Sequence, residues 1–200
     1  MVFQLEETLA TKLQDLELAR EILPLWTDWG VEDSGVLIHS LGVTFLTSIG
    51  QHLGYVAVGE VPVPHQGPFA HIGDDVRSDS IWFDRANRSP VLIAEFERYS
   101  GSDEHKLKLE SKVKNLLLAQ HRCNPLSKPT AILLLAYWTK GLASLPKHAE
   151  LQSIVQRGFE TRSRQRVLGC NSRLLFLQFV MQENESSLLH LTRIITRGVS

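Results

Sequence analysis

The chain reads as a single α/β domain of three layers, a mixed sheet with helices on both faces, and three observations carry that reading. β-Branched and apolar runs recur three times in succession between residues 56 and 97. Two further apolar runs, 131–138 and 174–181, are each preceded by a stretch of helical periodicity. Helical spacing also precedes this β-rich middle. Three strands in succession make an antiparallel meander, and the longer connections after it make helical crossovers.

The elements follow in order. Leu5, Leu9, Leu13, Leu16 and Leu23 fall at near-helical spacing and stop before Pro24, which predicts one amphipathic helix over 5–23 with an acidic polar face. Trp26, Trp29 and Gly30 mark a loop, and Leu37, Leu41, Phe45, Ile49 and Leu53 predict a second helix ended by Gly54. Val56, Val58, Val61 and Val63 make a strand that Pro62 and Pro64 assign to a sheet edge. Residues 65–75, with glycine, proline and histidine, form a loop. Residues 77–84 and 91–97 are the second and third strands, joined by a short turn. A helix spans 103–121. The run 131–138 is apolar throughout, as a strand covered on both faces is, and belongs in the sheet centre. A helix over 146–159, an arginine-rich stretch, a fifth strand over 174–181 and a terminal helix over 187–196 complete the domain. Residues 1–35 are then a helical extension, 36–138 the core, and 139–200 the completion of one domain, 1–200.

Composition excludes several classes. Hydrophobic residues at 43% and charged residues at 22% are ordinary for a folded soluble chain. The longest apolar run, 131–138, is too short to cross a bilayer, and the first residues lack the basic and apolar regions of a signal peptide, so the expectation is a cytoplasmic protein without a membrane partner. Cys123 and Cys170 stand far apart with no CxxC or CxxH beside them, which gives no zinc ribbon or redox motif. The net charge of −1 conceals an asymmetry: residues 1–100 hold 6 Lys/Arg against 15 Asp/Glu, and residues 101–200 hold 15 against 7. One compact domain with such halves places an acidic focus beside a basic one, the pattern of a metal site next to a polyanion groove.

Alternation along a strand places Glu95 and Glu97 on one face and Leu92, Ala94 and Phe96 on the other. Asp79, on the preceding strand, lies beside Glu95 if the two strands pair antiparallel. Converging carboxylates repel unless a cation or protons neutralise them, and an oxygen-only set favours Mg2+ or Mn2+.

Asp79, followed after fifteen residues by Glu95-Phe96-Glu97 on the next strand, then a basic helix and a buried strand, resembles the PD-(D/E)XK nuclease superfamily over about residues 36–138. The resemblance implies a restriction-endonuclease-like fold. It also implies a metal-dependent endonuclease acting on DNA, the choice between DNA and RNA staying open, in which Asp79 and Glu95 hold the metal at the scissile phosphate. Glu97 stands where the family has lysine; as a carboxylate it serves as a further ligand or orients the attacking water. The family often adds an acid from the helix before the meander, but residues 35–53 contain no Asp or Glu. Glu60 on the first strand is then the additional candidate ligand. The departure at Glu97 also motivates the alternative, a catalytically inactive nuclease-like module that binds nucleic acid or protein.

A replacement for the missing lysine is sought on the helix over 103–121. At about 100° per residue, Leu109, Val113, Leu116, Leu117 and Gln120 fall within an arc of about 220–320° counted from Asp103, and Lys106, at about 300°, falls inside it. Lys108 and Lys112, at about 140° and 180°, fall outside and are assigned to nucleic-acid contact together with Arg162, Arg164 and Arg166. A homodimer through the terminal helix or the early tryptophans would place two sites for double-strand cleavage.

Overall fold

The computed structural model describes residues 2–67, 69–72, 76–123, 131–142 and 145–197, with side chains from residue 6 on. Its main sheet has six strands in the order β1 (Val56–Pro62), β2 (Arg77–Phe83), β3 (Pro90–Arg98), β4 (Ile132–Lys140), β7 (Leu174–Glu183) and β8 (Leu189–Arg197). β1, β2 and β3 pair antiparallel as a meander, β3, β4 and β7 run parallel, and β8 returns antiparallel to β7. β4 is central and buried along nearly its whole length, as its uninterrupted apolar run requires.

Helices cover both faces. On one, α3 (Gly35–His52) packs with α1 (Val2–Leu13) and α2 (Leu16–Ile22) over Trp82, Ala94, Phe96, Leu134, Ala136 and Phe179. Trp26 is completely buried there and stacks on Phe179 with ring centroids 5.2 Å apart. The close seating of α3 depends on Gly42, because a Cβ at that position would run into the Phe96 ring. On the other face, α4 (Asp103–Cys123) and α5 (His148–Arg157) bury Leu109, Val113, Leu116, Leu117, Leu151 and Val155 against Ile81, Ile93, Leu133, Leu135 and Phe176. This is the three-layer mixed α/β architecture expected.

Four local readings change. The first amphipathic stretch is two helices, because Asp15 leaves the helix to accept the N–H groups of Glu17 and Leu18 and caps α2. A π-helical turn, Leu25–Trp29, follows. The terminal segment is strand β8, not a helix. Asn184 takes the chain round a turn by accepting the N–H groups of Ser186 and Leu188, and the β-branched run Ile194-Ile195-Thr196 then pairs with β7. A dimer through a terminal helix therefore has no basis, nor one through the buried Trp26, whereas Trp29 is 67% exposed. The arginine-rich stretch carries a two-stranded hairpin, β5 (Phe159–Glu160) with β6 (Arg166–Val167).

Of the 65–75 loop, residues 68 and 73–75 lie outside the described residues. The remainder is anchored by Arg122, fully buried, whose guanidinium donates to the carbonyls of Phe69 and Ile72. Among the described residues, no helix is long and apolar enough to cross a membrane.

Candidate metal centre and adjoining cleft

The pairing of β2 with β3 ends at Ser80 and Ala94, one residue short of Asp79 and Glu95. Beyond that rung the N–H of Phe96 loses a strand partner, and Asp79 Oδ2 accepts it at 2.7 Å. Glu95 is fully buried beside it. Lys112 of α4 reaches between the two acids, its Nζ donating to Glu95 Oε2 at 2.6 Å and to Asp79 Oδ2 at 3.1 Å.

Burial, and then the neighbouring Asp79 carboxylate, hold the Glu95 carboxyl well above the usual range, with Lys112 opposing both. For Lys112, burial disfavours the charge, but the two acids outweigh it and push the ammonium above its ordinary value. One lysine against two acids leaves the group short of positive charge. Glu95 Oε1 is also buried without a hydrogen-bond partner.

The other oxygen of Asp79 faces the opposite way. Oδ1 lies 3.7 Å from His39 Nε2 on α3, and the same nitrogen lies 4.0 Å from Glu60 Oε1 on β1. Glu60 stands between the rungs Gly59–Ser80 and Val61–Ser78, with φ of 52°, a left-handed conformation that costs a non-glycine residue energy and re-aims its side chain. His39, Glu60 and Asp79 each offer one ligand atom within 4.8 Å of the others, so they can hold a metal ion. The chemistry of this donor set fits a divalent ion, and the imidazole makes it more suitable for Mn2+ than for Mg2+, which prefers oxygen alone.

The expected acids are thus placed as follows. Asp79 and Glu60 belong to the His39 group, and Glu95 adjoins it across Asp79 and is tied to Lys112. Glu97, on the same face as Glu95 but two residues further along β3, is half-buried, and its Oε1 accepts the N–H of Arg98. It lines a separate cleft of about 460 Å3 between α3 and α4, whose walls include His39, Arg98, His105, Lys108 and Trp138.

Two corrections concern lysines. Lys106 does not reach the acids: its Nζ pairs with Asp103 at 2.9 Å and is half exposed. Its border of the α4 arc faces α5, where it lies beside Tyr99, Pro146 and Leu151. Lys112, assigned to nucleic acid, sits on the opposite border, and its long side chain spans the remaining angle to the acids. Lys108, one turn before it, lines the cleft. Arg162, Arg164 and Arg166 are exposed on the β5–β6 hairpin, and none of them lines the cleft.

Sequence reasoning missed His39. The absence of acids on α3 left that helix without a candidate, although a histidine one turn into it is the ligand type that remained. No family model, curated protein or solved structure matches this chain.

Proposed function

We propose that this chain is a divalent-metal-dependent nuclease that hydrolyses phosphodiester bonds of DNA, with Asp79, Glu95 and Lys112 at its centre and His39 and Glu60 completing the metal-binding group. The observation that carries the reading is the position of Lys112: an ammonium held by both acids supplies, from α4, the cation that Glu97 cannot supply from β3.

Phosphodiester hydrolysis needs stabilisation of charge on the phosphoryl oxygens, an oriented water and a proton for the leaving oxygen. A divalent ion such as Mn2+ or Mg2+ would supply positive charge to the phosphate and acidity to water. His39, Glu60 and Asp79 are the residues that would hold it. Lys112 places a fixed positive charge beside the acids and donates to a phosphate oxygen. Glu95, fully buried beside Asp79, keeps its proton to higher pH than an ordinary glutamate, which suits it to hold a proton beside the reacting group. Glu97 lines the cleft outside this group and serves substrate rather than metal.

The test is cleavage of linear and supercoiled DNA by the purified chain with Mn2+, Mg2+ or chelator. Cleavage with Mn2+ that disappears in chelator and in Asp79→Asn supports the reading. Normal binding of DNA with no cleavage in either metal refutes it. One feature favours the second reading, an inactive nuclease-like binding module: Lys112 already compensates part of the acid charge by itself. In that case calorimetry with Mn2+ gives no heat while salt-sensitive DNA binding persists.

A further inference from the structure

We propose that the cleft between α3 and α4 takes one unpaired nucleotide of a DNA strand, with its phosphate held by Arg98, His105 and Lys108. This rests on the nuclease reading, since it makes the acid group the point to which the strand is led. It specifies the form of the substrate: a single strand or a frayed end, not an intact duplex.

Position comes first. His39 belongs to both places, offering Nε2 toward Asp79 and Glu60 while its side chain forms part of the cleft wall. A phosphate lying at the acid group therefore has its neighbouring nucleotide at the cleft. At about 460 Å3 the cleft is of the size of small-ligand sites, roughly 300–1,000 Å3. That is room for one unpaired nucleotide, whereas a nucleotide within a duplex stays stacked and paired and enters such a cleft only if it is pulled out of the helix.

The donors suit a phosphodiester. The Arg98 guanidinium lies 4.6 Å from the Trp138 ring centroid, and one of its nitrogens is 3.4 Å from Asp33, so the planar group is held in place before any ligand arrives. Lys108 pairs with Glu104 at 2.9 Å, but both side chains are largely exposed, and such a pair is weak enough to exchange for phosphate. The N–H of Ser100 donates to His105 Nδ1 at 3.1 Å, so neutral His105 carries its proton on Nε2 and offers it as a donor. Val36, 81% exposed at the start of α3, gives the rim an apolar surface for a sugar or base. Trp138 is only 1% exposed, so it orders Arg98 and does not stack with a base.

The experiment measures fluorescence anisotropy of labelled short oligothymidylate and of a blunt duplex, in chelator, with the wild-type chain, Lys108→Glu and His105→Gln. Binding of the single strand about tenfold tighter than the duplex, with about tenfold loss in Lys108→Glu and a smaller salt slope, supports the proposal. Equal or tighter binding of the duplex, or unchanged single-strand affinity in both variants, overturns it. Circular dichroism of each variant confirms that lost affinity is not lost folding. A parallel cleavage assay in Mn2+ separates the two claims. No cleavage with single-strand preference intact sinks the nuclease reading alone, whereas cleavage with duplex preference sinks the cleft assignment alone.

Discussion

Replacing Lys112 by methionine removes the ammonium and keeps most of the volume of the side chain. Its Nζ lies 2.6 Å from Glu95 and 3.1 Å from Asp79, and the side chain is only 20% exposed. Removing one partner of a buried ion pair costs about 3–5 kcal/mol. Glu95 can relieve part of this by taking a proton, which burial and Asp79 already favour, so the expected loss near pH 8 is about 3 kcal/mol. For a chain of this length that lowers Tm by about 6–12 °C. The pH dependence has a definite sign. A carboxyl whose folded-state pKa lies above its unfolded value binds more protons in the folded state, so its contribution to stability falls as pH rises. Loss of Lys112 raises that folded-state pKa further. The gap between Lys112→Met and wild type should therefore narrow at pH 5 and widen at pH 8, measured by thermal unfolding in chelator. Adding Glu95→Gln to Lys112→Met should recover at least half of the loss at pH 8. A gap below about 1 kcal/mol at both pH values, or one wider at pH 5, would refute the electrostatic account of this site.

Three further predictions rest on other parts of the molecule. His148 packs against Phe176 and bonds the Tyr137 hydroxyl, and burial, followed by Arg197, pushes its pKa down to about 4. The unfolded chain therefore binds an extra proton below about pH 6.5, and stability should fall between pH 6.5 and 4 by on the order of 1 kcal/mol, since solvent screens the partly exposed ring; urea titrations should show this slope reduced in His148→Leu. Gly42→Ala should destabilise by about 2 kcal/mol, because the clash with Phe96 exceeds the gain in helix propensity, and a neutral or stabilising result in thermal unfolding would contradict the packing of α3. His39→Ala should weaken Mn2+ binding at least about tenfold in calorimetry while leaving the unfolding midpoint in chelator within a few degrees.

The layers were legible because they rest on patterns that tertiary context rarely reverses. The apolar run of β4 allows little else than a central strand, and Asp79 and Glu95 lie at matched distances from the β2–β3 turn, so strand pairing alone brings them together. Alternation also placed Glu97 on the face of Glu95, but not how far β3 carries it beyond the last paired rung. On α4 the apolar residues define an inward arc without saying which border meets the acids, so Lys112 reaches them and Lys106 does not. His39 has no local signature; only the crossing of α3 over β1 and β2 gives it Asp79 and Glu60 as neighbours. At the carboxyl end, Leu188, Leu191 and Ile195 mimic helical spacing, and the β-branched composition of 194–196 was the better guide.

Because Asp79 Oδ2 also completes the hydrogen bonding of Phe96, the same carboxylate belongs to the scaffold and to the group that can hold a metal ion. A substitution there is never a clean removal of chemistry. Alanine strands an amide in the interior at the point where two strands diverge, whereas asparagine can still present a carbonyl oxygen to it. Natural variants at this position should accordingly be depleted through misfolding before any effect on metal binding can be selected.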